Sequence, residues 1–447
     1  MNAKERAGTK AVMGKSEILE ILNDWNFWKN GIDTGIKRAG LLEEVKRLSA
    51  MKEIIVVTGI RRSGKSTILQ QFCKSLMEAG TESRNILIVN FEDPRFRGMD
   101  LKLLDEIYET YLTELAPDSP HCVILDEVQK ISGWEKFARF LSENKKACVF
   151  VMGSSSKLLS SEYSTTLAGR HVDIEIFPLS FREFLSFRGI GTAGSLDIAA
   201  GRHAIKRCIS EYFRFGGFPK IAIIEDERGK SDLLAAYFRD IVIKDVVERY
   251  RINEIEKLEE MAKYYLTNIS CVQSLNKVKN IIGLSLDTTE RFSRYLENVY
   301  LISFVKKFSY KKKEQLLNPK KVYCIDTGMR NVVSFRTDEE RGRLAENVVF
   351  TELKRRGTEI FYWRDEKQRE VDFVIKSGGK ITRLIQVCWD ISAPETRKRE
   401  TDALLSGMDR FGLEEGLIIT ENEEGEEKTG GKRIKYVPIW KWLLTRD

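Results

Sequence analysis

The octapeptide Gly59-Ile60-Arg61-Arg62-Ser63-Gly64-Lys65-Ser66 constrains this chain more than any other stretch, because a GxxxxGK[ST] loop works only where a strand ends and a helix begins. Both conditions are met: the β-branched run Ile54–Thr58 precedes it, and a helical pattern starts near Lys65. In such a loop the backbone N–H groups of Ser63 to Ser66 ring phosphates, and the helix N-terminus adds its partial positive charge. The expected nucleotide-binding residues are therefore Gly59, Arg62, Ser63, Gly64, Lys65, Ser66 and Thr67. Lys65 reaches the β- and γ-phosphates, the Ser66 hydroxyl ligates the Mg²⁺ that bridges their oxygens, and Thr67 lies near the α-phosphate.

A second segment points the same way. Val123-Ile124-Leu125-Asp126-Glu127 is an apolar strand ending in two acids, which predicts that Asp126 holds Mg²⁺, directly or through water, and that Glu127 polarises the attacking water. The alternative is a buried strand whose acids cap a turn. The next apolar strand, Val149 to Gly153, ends in Ser154-Ser155-Ser156; a hydroxyl there, Ser154 first, either senses the γ-phosphate or caps a helix. Charge neutralisation in the transition state needs one more cation. Arg170 and Arg62 are the two candidates, with an ordinary surface arginine as the alternative for each. No NKxD-type guanine-reading motif occurs, so ATP is the expected nucleotide.

Between Ser49 and Phe177 short β-branched runs alternate with longer helical patterns: Ile54–Thr58, Ile86–Asn90, Val123–Asp126, Val149–Met152 and Val172–Phe177 are the expected strands. Alternation of this kind predicts an α/β fold with a doubly wound parallel sheet. From Arg202 to about Arg251 the pattern is helical, interrupted by Gly216-Gly217-Phe218-Pro219. Three short helices then lead into an alternating pair, Leu301–Lys307 and Lys321–Ile325, an order expected of a winged helix-turn-helix. A helix over Glu339–Arg356 opens the last segment, followed by strands at Ile360–Trp363, Val371–Lys376, Leu384–Val387 and Leu417–Thr420, with a helix at Thr396–Phe411. Glu421–Lys432, rich in Glu, Gly and Lys, reads as a surface loop.

Charge and composition limit the partners. The net charge of +7 is modest for 447 residues, but Leu301 to Lys321 carries seven lysines against one glutamate. Such a stretch is a solvated face or a contact for phosphate backbone or an acidic partner. DNA binding through the winged helix and its Lys-rich wing, and a protein contact by the same module, are both expectations. No run of 18 apolar residues occurs, so no membrane partner is expected, and Met1 to Lys15 lacks a secretory apolar core, which predicts a cytoplasmic protein. Seven scattered cysteines without a CxxC pair argue against a disulfide framework and a zinc ribbon.

Taken together, Gly35-Ile36-Lys37-Arg38, the Thr58–Ser66 loop, Leu125-Asp126-Glu127-Val128-Gln129, Gly153-Ser154-Ser155, Leu167-Ala168-Gly169-Arg170 and Phe177-Pro178-Leu179-Ser180-Phe181-Arg182-Glu183-Phe184 resemble the prokaryotic, especially archaeal, AAA-type ATPases. Gly216-Gly217-Phe218-Pro219, Arg239-Asp240-Ile241-Val242 and Arg341 to Asn347 are similar to marks of the rest of that family. The resemblance implies an N-terminal segment (1–34), a P-loop ATPase domain (35–195), a helical lid or linker (196–254), a winged helix-turn-helix (255–330) and a small α/β domain (331–447) related to PD-(D/E)xK restriction-type nucleases. A nuclease of that type needs an Asp on one strand and a (D/E)xK triplet on the next. Asp372 is present, Glu346 supplies a helix acid and Glu370 joins them if a bulge turns it inward, which makes these three the candidates for a second metal site. The triplet, however, is Gln386-Val387-Cys388, which predicts a degenerate domain without nuclease activity.

The expected function is thus Mg²⁺-dependent ATP hydrolysis coupled to movement of a DNA-associated C-terminal half. A slow ATP-gated switch that binds a protein partner is the alternative, and an ATP-regulated nuclease is third.

Overall fold

The apolar runs form five strands, β1 (Ile54–Thr58), β2 (Ile86–Asn90), β3 (His121–Asp126), β4 (Ala147–Met152) and β5 (His171–Glu175), all parallel in the order β2-β3-β4-β1-β5. Successive side chains alternate between the two faces of the sheet. Ile54, Val56, Leu87 and Val123 pack with the helices Lys15–Trp25, Leu101–Leu115 and Trp134–Glu143, whereas Ile55, Val57, Ile88 and Ile124 pack with Ala39–Ser49 and Lys65–Glu78. A sheet covered on both faces requires unbroken apolar strands, and this is why these segments lack the polar alternation of a half-exposed sheet. Each such side chain stabilises the fold by roughly 1.5–3 kcal/mol on burial.

In this computed structural model the described residues are 13–29, 31–118, 121–144, 147–154, 167, 169–192, 194–334 and 340–445. They divide into two units, one within 1–59 and 64–176, the other comprising 60–63 with the chain from Phe177 onward. Ser155, Ser156 and Ala168 lie outside the described residues.

The second unit starts with helix Phe181–Phe187, whose Ser180 and Glu183 form a reciprocal capping box: the Ser180 N–H donates to Glu183 Oε2 at 2.8 Å and the Glu183 N–H to Ser180 Oγ at 3.2 Å. Helices Arg202–Phe215, Pro219–Ile223 and Glu227–Asp240 follow, and the last continues into an eight-residue π-helix, Ile241–Glu248. Next come helix Ile255–Thr267, β6 (Cys271–Gln273), helices Leu275–Ile282 and Leu286–Asn298, β7 (Ile302–Lys307) and β8 (Lys320–Cys324). β8 lies between β6 and β7, antiparallel to both. The short β6 was not expected from the sequence, where three residues carry no readable period.

The expected boundary at 330/331 does not interrupt the structure. After helix Arg341–Arg355, β9 (Glu359–Arg364) pairs in parallel with β7, Lys306 opposite Phe361 and Lys307 opposite Tyr362. With β10 (Glu370–Ser377), β11 (Lys380–Val387), β12 (Glu415–Thr420), β13 (Gly425–Thr429) and β14 (Lys432–Pro438) this gives one nine-stranded sheet, β13-β14-β12-β11-β10-β9-β7-β8-β6. The expected loop over Glu421–Lys432 therefore holds a strand. β13 is an edge strand whose charged, largely solvent-facing residues look loop-like in sequence but blunt an open edge, and Gly430-Gly431, both at positive φ, turn it onto β14.

Candidate functional site

Three adjacent strands deliver the expected groups to one edge. The phosphate loop leaves the carboxyl end of β1, Asp126 ends β3, and Ser154 follows β4 two residues beyond Met152, which pairs with Val57. The carboxyl edge is where open parallel sheets bind ligands. Gly59 has φ 135°, and a Cβ there would sit 2.2 Å from the Ile176 carbonyl oxygen, so the chain can leave β1 along this path only without a side chain.

Lys65 is buried at the start of helix Lys65–Glu78 and its Nζ donates to the Gly59 carbonyl at 2.9 Å, a bond that folds the ammonium back over its own loop. Ser66 and Thr67, in the first turn, are exposed. The Ser66 hydroxyl donates to Asp126 Oδ2 at 2.8 Å, so the two hard-oxygen groups expected to share Mg²⁺ already touch, and this donor set fits such an ion. Burial, aided by the charges of Glu127 and Glu92, pushes the Asp126 carboxyl up to about 7, opposed by the Ser66 bond and by Lys65. Glu92 was not anticipated; it stands two residues beyond the end of β2, and only the sheet order brings it near β3. Glu127 adopts a left-handed backbone, φ 51°, and accepts a hydrogen bond from Gln129 Nε2. Gln129 thus orients the acid expected to act on water.

The raised Asp126 carboxyl sets a pH dependence. A cation must displace its proton, so apparent Mg²⁺ affinity in the presence of ATP is expected to fall by about tenfold per pH unit below pH 7, and Asp126→Asn to lack this component; parallel Mg²⁺ titrations from pH 5.5 to 8 test it. Without a cation the folded chain holds this proton more tightly than the unfolded one. The contribution of Asp126 to stability is therefore present below about pH 4 and is lost as pH rises to about 7.

The two candidate arginines are placed differently. Arg170 precedes β5 and its carbonyl accepts from the Ile54 N–H, so it stands at the amino edge of the sheet, roughly 15 Å along β1 from the phosphate loop. Its guanidinium pairs with Glu143. Arg62 belongs with Ile60–Ser63 in the second unit, where its Nη2 bonds Asp240 Oδ2 at 2.6 Å and its guanidinium lies 4.3 Å from the centre of the Tyr237 ring. Arg61 bonds Asp245, within the π-helix, at 3.1 Å.

The second candidate site takes an unexpected form. Glu346 (helix Arg341–Arg355), Glu370 and Asp372 (both β10) do converge, but on an ammonium: Lys321 Nζ lies 2.8 Å from Glu346 Oε1, 2.6 Å from Glu370 Oε1 and 2.9 Å from Asp372 Oδ1. A register shift between Val371 and Val374 marks the expected bulge. Lys321 is only 2% exposed, which corrects its assignment to a solvated or phosphate-facing lysine stretch. Strand alternation was the available signal: Lys321 shares a face of β8 with Tyr323, whose hydroxyl donates to Glu346 Oε1 at 2.7 Å. Among the described residues no group of three or more His, Cys, Asp or Glu is arranged to hold a metal ion. Cys388, at the position of the missing lysine, is buried and its thiol is pushed up to about 12, chiefly by that burial, so it offers neither a cation nor a thiolate.

Segments of this chain match known protein families. Residues 51–185 match an AAA domain, and residues 206–340 and 341–442 match two domains of unknown function, DUF8612 and DUF4143. The uncharacterized protein MJ1544 of Methanocaldococcus jannaschii is 35% identical over 408 residues, covering 88% of each chain. An uncharacterized protein of Haemophilus influenzae is 28% identical over 412 residues, 91% of this chain and 98% of its own. Among solved structures, the Walker-type ATPase PABY2304 of Pyrococcus abyssi aligns with 66% of this chain and 95% of its own at 12% identity and a TM-score of 0.38, a likeness too distant to carry function. Among the described residues no helix is long and apolar enough to cross a membrane.

Proposed function

This chain, in which an AAA domain precedes two domains of unknown function, belongs to the family of the Methanocaldococcus jannaschii protein MJ1544, and from that premise we propose that it is a Mg²⁺-dependent ATPase whose C-terminal half responds to hydrolysis and associates with DNA. The observation that carries the ATPase assignment is the Ser66–Asp126 contact of 2.8 Å at the carboxyl edge of the sheet. Lys65 exchanges its bond to the Gly59 carbonyl for the β- and γ-phosphate oxygens, and the loop N–H groups cradle the phosphates. Ser66 and Asp126 hold Mg²⁺, which when bound supplies positive charge to the phosphate oxygens. Glu127, steadied by Gln129, accepts the proton of the attacking water, and Ser154 stands at the end of the neighbouring strand to sense the γ-phosphate. Arg62 can serve as the further cation only after leaving Asp240, and Arg170 is out of reach of its own loop. Multiple turnover of ATP, measured with and without DNA, tests this function; a single slow turnover unaffected by DNA overturns it in favour of a switch.

The order of helix, β6, two helices, β7, the short helix Lys312–Leu317 and β8 supports a winged helix-turn-helix in which β7 and β8 flank a wing that holds this helix. Lys311, Lys312 and Lys313 of the wing are exposed, while Lys306 and Lys307 are half-buried on β7. A groove of about 840 Å³ beside them is lined by the basic Lys307, Lys311, Arg364 and Arg410 and by the acidic Glu314, Asp365, Glu366 and Asp409, among others. If these lysines meet phosphate, glutamine at all five positions weakens DNA binding regardless of sequence and flattens its salt dependence, by up to about 0.9 in log–log slope for each phosphate that a lysine neutralises. An unchanged slope removes DNA from the proposal.

One observation favours the protein-binding switch as a second function. The outer face of helix Leu286–Asn298, which would enter a DNA groove, exposes Asp287 and Glu290 beside Arg291 and Arg294, with no excess of positive charge. Its exposed Leu286 and the nearby Ile281 suit a protein surface better than a phosphate backbone.

For the segment from Arg341 onward we propose a nuclease-like fold without cleavage. Linear, supercoiled and branched DNA are expected to remain intact with Mg²⁺ or Mn²⁺, with or without ATP. Cleavage that disappears in Asp372→Ala would prove the opposite.

A further inference from the structure

We propose that Lys321 Nζ is the resident cation of the Glu346–Glu370–Asp372 cage and keeps divalent metals out of it. The proposal is independent of the phosphate loop, since every residue concerned lies in the second unit. Three carboxylate oxygens on two elements point at one ammonium from 2.6–2.9 Å. A hard divalent cation takes such oxygens at about 2.1–2.6 Å, so a contraction of a few tenths of an ångström would suit a metal, and the focal point is already filled.

Two of the remaining acceptors are also engaged. Asp372 Oδ2 accepts the Val387 N–H at 3.0 Å, and Glu370 Oε2 accepts from Arg364, whose Nε lies 3.0 Å away. Gln386, the amide in the expected triplet, has its Oε1 on the Asp372 N–H at 3.2 Å and its Nε2 on Glu400. Burial alone would discharge Lys321, but Asp372 and Glu346 outweigh it and hold the ammonium charged. Burial and the Asp372 charge raise the Glu346 carboxyl, which retains a proton more readily than an ordinary glutamate. Glu370, despite burial, is held ionised by Lys321 and Arg364. Two cations, Lys321 and Arg364, thus face these three carboxyl groups without a metal. For a metal to enter, a buried ammonium would have to abandon three carboxylates and find no substitute for them.

Binding of Mn²⁺ alone to the full chain, counted by electron paramagnetic resonance, tests this. Lys321→Met keeps the stem and removes the charge, and it is expected to bind one more Mn²⁺ per chain than the wild type. That extra ion should be lost in Lys321→Met/Asp372→Asn. In the wild-type background Asp372→Asn should leave the Mn²⁺ count unchanged. A folded Lys321→Met chain with no additional ion overturns the proposal, as does a wild-type ion that Asp372→Asn removes. If Lys321→Met does not fold, recovery of its fold on adding Mn²⁺ supports the proposal. If it does not recover, the wild-type comparison decides: an unchanged count sustains the resident ammonium and a lost ion refutes it.

Discussion

Lys65→Ala is expected to abolish tight ATP binding while leaving the fold intact. The ammonium is buried and donates to the Gly59 carbonyl at 2.9 Å, a backbone acceptor that it can exchange for phosphate oxygens. Hydrogen bonds to charged groups contribute about 1.5–3 kcal/mol each, so losing those to the β- and γ-phosphates costs on the order of 3–6 kcal/mol, or roughly 10²–10⁴ in affinity. The helix and its apolar face remain, because Ile68, Leu69 and Phe72 rather than Lys65 anchor it to the sheet. Calorimetric titration with ATP and Mg²⁺ checks this, and equal affinity in the variant and the wild type would remove the phosphate-loop assignment.

Glu127→Gln should separate binding from chemistry. The amide keeps the length and an oxygen that can still accept from Gln129 Nε2, so the left-handed backbone at φ 51° and the side-chain position are retained. It cannot accept a proton from water. General-base catalysis is worth about 10²–10⁴-fold, and a fall of that size in kcat with an ATP dissociation constant within about threefold of wild type is expected. Steady-state turnover alongside equilibrium binding measures both. A variant that turns over at the wild-type rate would take the base role away from Glu127.

Much of the first unit was legible because its determinants are local. β1 and β2 are found where the β-branched runs predict them, and the Gly59–Ser66 spacing fits only a strand-to-helix turn. Strand ends were less so: β3 begins at His121 and β4 at Ala147, two residues earlier than the apolar pattern suggests, since pairing with a neighbour extends a strand beyond its own hydrophobic run. In the second unit, the charged β13 is a strand only because β14 supplies its hydrogen bonds, and the nine-stranded sheet is continuous only because β7 meets β9.

By itself the sequence determined the phosphate loop, the acid pair Asp126-Glu127 and the alternation that yields a parallel sheet, because each depends on residues within a few positions of one another. Tertiary structure alone decided where Arg170 lies, since its distance from the loop follows from the register of β5 on β1. It alone also made Lys321 the partner of Glu346, Glu370 and Asp372. In the chain these are 25, 49 and 51 positions away, and the lysine sits in a run whose charge suggests solvent. Whether such a group is solvated or caged depends on burial and on what other elements bring to it, and both are properties of packing rather than of local pattern.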